Sequence, residues 1–364
     1  MKKYLLAILL LSIFLLLNIT GQLMQALILI ALSVVVVFGA LIKGEIRKKQ
    51  SKYMYILTLL VVLCLVHIKS ESIFYFVSEL KIFTIFTLPF VMTFILKKEN
   101  HNDILRIFFK LLLILVFLIN LYGLIKIGDF RYTGFLQYSI YLSIATVIIY
   151  GYLYYSLNLF WKILTFGVMF LLGSSSGIFI FLLITINKLK LSKLIKIAII
   201  IPGLYFIYWY VVEFRGREIF GPSFLEIDRV RIAASVIKNA VEEFNIFNYF
   251  IGWGIGRELI NFNMLFSTSS ISSLGFEAWF RAFTANGVYS FAFHNEFLRI
   301  IFDFGLIGLV VISKYLYEKL NKESFLILFI ACLTNTVIYS TVGLFILSIM
   351  VSIFELNRKQ TIVR

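Results

Sequence analysis

The chain has 364 residues, of which 61% are hydrophobic and 15% are charged, and its net charge is +15. Soluble domains are about 45–50% apolar, so an ordinary soluble fold is excluded. Apolar runs close to the roughly 17–25 residues that a bilayer core requires follow one another along the chain. They do not alternate in polarity as the strands of a membrane barrel do. The composition therefore predicts an all-α, polytopic transmembrane helical bundle, with residues 1–364 forming a single integral membrane domain.

In chain order, the apolar runs predict twelve membrane spans. The first follows Lys2 and Lys3 and lacks a small-residue cleavage site, so we expect an uncleaved span and not a signal peptide. The seventh and eighth are short, which predicts either tilted helices or a broken pair. The twelve predicted spans are residues 4–20, 22–42, 53–68, 82–96, 107–125, 135–156, 159–173, 177–187, 197–212, 288–313, 324–339 and 341–356.

The distribution of charge predicts the orientation of these spans. With both termini in the cytoplasm, the inner segments carry 22 Lys and Arg against 6 Asp and Glu, and the outer segments carry 12 against 13. An excess of Lys and Arg in cytoplasmic loops is the general rule for membrane proteins. This asymmetry accounts for the positive net charge, and nucleic acid is therefore not an expected partner.

One outer segment is long: residues 213–287 are predicted to form a large extracytoplasmic loop between the ninth and tenth spans. Asp228 can cap a helix within it, and the following residues have an amphipathic pattern. The apolar face carries Ile232, Val236, Ile237, Ala240, Val241 and Phe244. The polar face carries Arg231, Lys238, Asn239, Glu242 and Glu243. Such a helix can lie on the membrane surface or pack against other helices, and the two placements are compatible.

Most positively charged residues of this loop are arginines, whereas lysine dominates in the inner segments. One more arginine follows the fifth predicted span. The outer arginines are Arg131, Arg215, Arg217, Arg229, Arg231, Arg257 and Arg281. A guanidinium group binds phosphate oxygens bidentately, whereas an ammonium group acts as a point charge. The pattern predicts an anionic, phosphorylated ligand at the outer face. The alternative is ion pairing with acidic residues of the same loop, such as Glu213, Glu218 and Glu226.

Two short motifs follow the amphipathic segment. The sequence IGWGIG, residues 251–256, has three glycines that permit unusual backbone conformations or the close approach of a ligand. The sequence HNEFLRIIFDFGLIG, residues 294–308, begins at the outer end of the tenth span. His294 can accept a proton from a hydroxyl group at neutral pH. Asp303 lies about two and a half turns inside the span, which makes it a functional candidate, although Arg299 can pair with it one turn away.

These residues together resemble a known family. The pattern HNxFLxxxxDxGxxGL, here starting at His294, is similar to the signature of the O-antigen polymerase and O-antigen ligase superfamily of bacterial envelope proteins. The run from Arg229 to the glycine motif, the segment that starts at Arg131, and the position of the large loop also resemble that family. The resemblance covers roughly residues 120–310. One departure is Ser176, in the sequence GSSSG, where the family often has an arginine.

The resemblance implies a glycosyltransferase of the bacterial cytoplasmic membrane that uses an undecaprenyl-diphosphate-linked oligosaccharide. It implies a catalytic set of His294, Arg229 and Arg281. A substrate-binding set for the diphosphate and glycan would contain Arg131, Arg215, Arg217, Arg231, Asn295, Glu296 and Asp303. The arginines would neutralise the leaving group, so no metal and no cofactor are expected. Membrane lipid is an expected partner, and a chain-length regulator is a candidate partner.

Two alternatives stay open. A polymerase, which we favour, would use another lipid-linked repeat as acceptor, whereas an O-antigen ligase would use a lipid A-core acceptor. A protein of another class, a lipid-linked oligosaccharide transporter or an ion-coupled transporter, would also have about twelve spans. Transporters usually place polar groups near the bilayer midplane, often with internal repeats. Here the outer charges gather at one face, which favours an enzyme.

Overall fold

A computed structural model describes part of the chain. The described residues are 2–19, 27–29, 31, 80–96, 100–128, 139–209, 237–238, 240–242, 244–254, 295–334, 337–338 and 340–363. Within these ranges the chain is helical with short connections, and no strand is present. The predicted all-α class is therefore confirmed for this part of the chain.

Eleven α-helices, α1 to α11 here, lie within the described ranges. They are α1 Lys2–Ile19, α2 Thr84–Leu96, α3 His101–Tyr122, α4 Ser139–Leu153, α5 Leu159–Leu171, α6 Ser175–Lys188, α7 Lys193–Trp209, α8 Ile246–Ile251, α9 Glu296–Lys319, α10 Lys322–Thr334 and α11 Thr341–Val363. Short helical turns flank three of them: Leu80–Phe83 before α2, Gly123–Ile127 after α3 and Tyr154–Ser156 after α4.

Ten of these helices coincide with predicted spans, and α8 belongs to the large loop. The second and third predicted spans fall mostly or entirely outside the described residues. Among the described helices, the continuous one from His101 to Ile127 is long and apolar enough to cross a membrane by length and composition. Shorter apolar helices cover residues 142–156, 159–171 and 176–188. The seventh and eighth predicted spans, which are short, correspond to the separate helices α5 and α6, joined by a turn at Gly173 (φ 63°).

The core contains α2, α9 and α11 in close contact, and a proline explains part of their packing. Pro89 lies inside α2 and has no N–H to donate to the carbonyl of Ile85, one turn earlier. The buried Tyr315 hydroxyl of α9 donates to that carbonyl instead, at 3.2 Å. The hydroxyl of Ser352 on α11 donates to the carbonyl of Pro89 at 2.7 Å. Both bonds give polar groups partners that water cannot supply in an apolar interior.

Charged and polar side chains gather at one end of the bundle, which we call the basic end. Its contacts involve side chains from the first turns of α1, α3 and α10 and from the C-terminal parts of α4, α6, α9 and α11. They are Lys3 with Asp103, Tyr152 with Asn102, His101 with Asn357, Lys188 with Glu323, and Lys319 with Glu355. Helices that follow one another in the chain, such as α3 and α4 or α9 and α10, therefore run in opposite directions. The start of α9 lies at the other end, beside Leu333 at the far end of α10.

The predicted amphipathic helix is described only in part. Residues 237–238 and 240–242 are helical, and the amide of Phe244 donates to the carbonyl of Ala240 at 2.9 Å. Ile237 and Val241, on the predicted apolar face, are 52% and 67% exposed. The remaining members of the helix, from Asp228 to Val236, lie outside the described residues.

Candidate functional site

The start of α9 carries two of the predicted site residues, and the structure gives both of them partners within the protein. Asn295 is the N-cap of α9, and its side-chain oxygen accepts from the amide of Leu298 at 3.1 Å. Asparagine is favoured there because its side chain satisfies an amide that has no partner in the helix. Its side-chain nitrogen donates to the carbonyl of Leu333 at 2.9 Å. Asn295 thus ties the beginning of α9 to the end of α10.

Glu296 extends this connection to the start of α11. Its side chain is fully buried, and its Oε2 atom accepts from the amide of Ile338 at 2.8 Å. A carboxylate in the first turn of a helix is also stabilised by the helix dipole. Asn295 and Glu296 therefore hold the N-terminal end of α9 against the connection between α10 and α11. Their predicted contact with substrate stays a prediction.

Two buried charged residues follow on the same helix. Arg299 is 5% exposed and Asp303 is fully buried, four residues later. Residues with this spacing are neighbours on one helix face, and ionised groups are rarely buried unless another group compensates their charge. The predicted substrate-binding role of Asp303 and its pairing with Arg299 are both compatible with this position.

A break in α9 lies directly after Asp303. Gly305 has φ 66° and ψ −169° in the middle of the helix, a conformation that residues with a Cβ rarely adopt. The amide of Trp253 donates to the carbonyl of Phe302 at 2.6 Å. The loop after α8 is therefore hydrogen-bonded to the helix immediately before its break.

The glycine motif supplies this loop, and its glycines permit two backbones to touch. Gly252 and Gly254 have φ values of 90° and 117°. A Cβ on Gly252 would lie 2.5 Å from the backbone of Asp303, and one on Gly305 would lie 2.6 Å from the amide nitrogen of Gly252. The sequence allowed either an unusual backbone or close approach of a ligand at these glycines. The structure shows the unusual backbone, and the group that approaches Gly252 is the protein's own α9.

Aromatic side chains cover this junction. The rings of Phe244 and Trp253 are stacked, with centroids 5.2 Å apart and planes at 7°. Phe244 also contacts Phe302 on α9, at 5.8 Å between centroids. The segment 244–254, α8 included, is therefore fixed on α9 by a backbone hydrogen bond and an aromatic cluster. We call the segment 244–254 together with residues 295–305 the α8–α9 junction.

The remaining predicted site residues lie outside the described residues. They are His294, Arg229, Arg281, Arg131, Arg215, Arg217 and Arg231. His294 is bonded directly to the N-cap Asn295, and adjacent Cα atoms are about 3.8 Å apart.

The GSSSG segment begins α6. The hydroxyl oxygen of Ser174 accepts from the amide of Gly177 at 3.1 Å and so caps the helix. A Cβ on Gly177 would lie 2.8 Å from the hydroxyl oxygen of Ser143, so only glycine allows α6 to pack this closely on α4. Ser176, where the family often has an arginine, is half-buried. This segment thus forms a capped turn and a close helix contact.

Two residues that complete the α8–α9 junction received no role from the sequence: Gly305, which belongs to the motif that begins at His294, and Phe302. A glycine inside an apolar helical pattern indicates a kink or a close backbone approach, so such a feature could have been predicted at Gly305. The role of Phe302 could not, because one phenylalanine among many in an apolar helix has no distinguishing spacing.

Comparison with known proteins identifies no relative: no family model, no curated protein and no solved structure matches this chain.

Proposed function

We propose that this protein is a polysaccharide polymerase, for O-antigen or capsule, of the bacterial cytoplasmic membrane. It transfers a glycan from a polyprenyl-diphosphate carrier to a hydroxyl group of another lipid-linked repeat, on the outer face. The observation that carries the proposal is the α8–α9 junction. Two segments that separately resemble the superfamily, residues 251–256 and 294–308, come into backbone contact although about 50 residues separate them.

The membrane topology belongs to the same proposal. Twelve spans with both termini in the cytoplasm place the basic end of the bundle inside, because Lys and Arg are retained on that side. The contacts of Lys3, Lys188 and Lys319 with acidic residues of neighbouring helices support one common basic end. The α8–α9 junction then lies at the outer surface, where a lipid-linked glycan is available.

The proposed reaction is a single displacement. The acceptor hydroxyl oxygen attacks the anomeric carbon, the bond from that carbon to the diphosphate oxygen breaks, and the bonding electrons leave with the diphosphate. His294 takes the hydroxyl proton. Arg229 and Arg281 stabilise the negative charge that develops on the diphosphate. Attack opposite the leaving group inverts the configuration at the anomeric carbon.

The other predicted residues have supporting roles in this scheme. Arg131, Arg215, Arg217 and Arg231 bind the diphosphate and the lipid-linked glycan through bidentate hydrogen bonds. Asn295 and Glu296 hold the helix end that carries His294, as their contacts with Leu333 and Ile338 indicate.

The test of the proposed function is His294→Ala in a cell whose own gene for this protein has been deleted. Surface polysaccharide is separated by length on a gel, and the amount of variant protein in the membrane is measured by immunoblot. Loss of long chains, with only single repeats present, is expected for a polymerase. His101→Gln is the matched control, because His101 lies at the opposite end of the bundle beside Asn357.

The other outcomes of this experiment identify the alternatives. Long chains that stay on the lipid carrier indicate a ligase. An unchanged length ladder, with normal protein in the membrane, contradicts the catalytic assignment of His294 and favours a transporter. A second measurement separates enzyme from transporter: purified protein in detergent should extend a lipid-linked repeat without ATP or an ion gradient.

A further inference from the structure

The connection between α6 and α7 carries a dense group of lysines at the basic end of the bundle. Residues 188–196 include four lysines and no acidic residue. Lys190 and Lys193 are exposed, and so are the leucines between them and beside them, with Leu194 80% exposed. Charged and apolar side chains are thus exposed together on one short segment.

The neighbouring connection, between α4 and α5, adds tyrosines to this surface. The Tyr155 hydroxyl donates to the carbonyl of Lys188 at 3.4 Å, and the Lys188 ammonium lies 5.2 Å from the centre of the Tyr155 ring. Tyr154 contacts Tyr155 and has the Lys162 ammonium 3.8 Å above its ring. We call Tyr155, Lys162, Lys188, Lys190, Lys193 and Lys196 the basic surface.

Within the described residues, one lysine of the basic surface has a carboxylate partner. Lys188 forms an ion pair with Glu323 of α10. In the part of the chain that the structure describes, the other four lysines have no carboxylate within ion-pair distance. Lys196 donates to the carbonyl of Asn187 at 2.8 Å and keeps its charge. Among the described residues, an anionic ligand would therefore encounter four positive charges that no carboxylate neutralises.

The helix that leaves this surface, α7, indicates the class of ligand. None of its residues is buried, and apolar side chains are exposed along it, including Ile201 at 65% and Tyr205 at 69%. Its 17 residues extend about 25 Å, close to the roughly 30 Å hydrocarbon thickness of a bilayer. Lysines occupy its first turn, and Tyr205, Tyr208 and Trp209 lie near its end. Lipid-facing helices have this order of basic, apolar and aromatic residues.

We propose that the basic surface binds the headgroup of an anionic phospholipid of the inner leaflet. The lysines without a carboxylate partner among the described residues would contact the phosphate, the exposed leucines would enter the upper acyl region, and Tyr155 would lie at the headgroup level. The proposal depends on the membrane location proposed above and is independent of glycosyl transfer. A protein without polymerase activity would still bind the lipid.

The test uses the full-length protein, purified in detergent and incubated with equal amounts of phosphatidylglycerol and phosphatidylcholine that have identical acyl chains. Native mass spectrometry then counts each lipid bound. The wild-type protein is expected to retain phosphatidylglycerol preferentially. The triple variant Lys190→Ala, Lys193→Ala, Lys196→Ala is expected to lose this preference roughly tenfold or more, because each lysine near the headgroups contributes attraction.

Two matched variants separate a built site from general positive charge. Lys2→Ala, Lys126→Ala, Lys314→Ala removes the same charge from three exposed lysines on other helices and should leave the preference intact. Replacing Lys190, Lys193 and Lys196 by arginine should also preserve it. The proposal is overturned if the wild-type protein shows no preference between the lipids, or if both alanine triples reduce it equally. Thermal unfolding in detergent verifies that each variant is folded.

Discussion

The hydroxyl group of Tyr315 replaces a hydrogen bond that Pro89 cannot make, and this pair gives the first prediction. Tyr315→Phe removes only the hydroxyl and leaves the buried carbonyl of Ile85 without the donor seen at 3.2 Å. A buried polar group without a partner costs about 1–3 kcal/mol. We therefore expect Tyr315→Phe to lower the free energy of unfolding by about that amount, measured by thermal unfolding in detergent.

A second variant isolates the cause. In Pro89→Ala the new amide can donate to Ile85, as in an ordinary helix. Tyr315→Phe should then cost distinctly less in the Pro89→Ala background than in the native one. An equal cost in both backgrounds would show that the hydroxyl stabilises the protein in some way unrelated to the proline.

Glu296 provides a second prediction at the scale of single residues. Glu296→Ala removes the acceptor of the Ile338 amide, and the buried amide has no replacement, which costs about 1–3 kcal/mol. Glu296→Gln retains a side-chain carbonyl oxygen and should cost less. Thermal unfolding of the purified variants measures both. If Glu296→Gln and Glu296→Ala are equally destabilising, the charge of Glu296 stabilises the protein and its hydrogen bond with the Ile338 amide does not.

At the scale of elements, apolar runs predicted which residues form helices better than where the helices end. The predicted tenth span ends at residue 313, whereas α9 continues to Lys319, and the predicted twelfth span ends at 356, whereas α11 continues to Val363. The additional turns are rich in Lys, Glu, Asn, Arg and Gln. Lysine, arginine and glutamate favour helices as strongly as many apolar residues do. Hydropathy detects the bilayer-sized part of a helix and does not detect its polar extension.

The α8–α9 junction could be predicted only in its separate parts. The glycines of IGWGIG and the motif that begins at His294 were both recognisable in the sequence. Their contact was not, because Gly252 and Gly305 lie 53 positions apart and neither motif specifies the surface on which it packs. The functions of Asn295 and Glu296 in joining helices were also hidden, since their partners are backbone groups, which every residue has.

The helix break itself gives a third prediction. Gly305→Ala would place a Cβ 2.6 Å from the Gly252 amide nitrogen, in a backbone conformation (φ 66°, ψ −169°) that costs alanine roughly 1–3 kcal/mol. Release of segment 244–254 from α9 is the expected result, seen as faster proteolysis within that segment in detergent. Polymerase activity should fall with it, if the α8–α9 junction supports His294 as proposed.

Gly167→Ala is the matched control for this change. Gly167 lies inside α5, and a Cβ there would meet no atom within 4 Å. Alanine in a helix interior is favoured over glycine by up to about 1 kcal/mol, so Gly167→Ala should leave proteolysis within 244–254 and activity unchanged. The explanation by close backbone approach would be wrong if Gly305→Ala behaved like Gly167→Ala.

For the whole molecule, the two ends of the bundle are built from different chemistry. The basic end is held by side-chain ion pairs such as Lys3 with Asp103 and Lys188 with Glu323. The other end, at the start of α9, is held by hydrogen bonds to backbone groups. The carbonyl of Leu333 accepts from the Asn295 side chain, and the amide of Ile338 donates to the Glu296 side chain. The amide of Trp253 donates to the carbonyl of Phe302. The positive-inside rule assigned Lys3 and Lys188 to the same side of the membrane, and both take part in the contacts of the basic end. This difference makes the orientation of the bundle testable without knowledge of the reaction.

The fourth prediction tests that orientation with α3, the helix whose continuous stretch from His101 to Ile127 is long enough to cross a membrane. Asn100 and Lys126 are exposed residues at its two ends, about 39 Å apart along the helix. The two native cysteines are first removed by Cys64→Ser and Cys332→Ala. Either Asn100→Cys or Lys126→Cys is then introduced. A membrane-impermeant maleimide should label Lys126→Cys in intact cells and should label Asn100→Cys only after permeabilisation. Labelling of Asn100→Cys alone would invert the proposed topology, and labelling of both in intact cells would exclude α3 as a span.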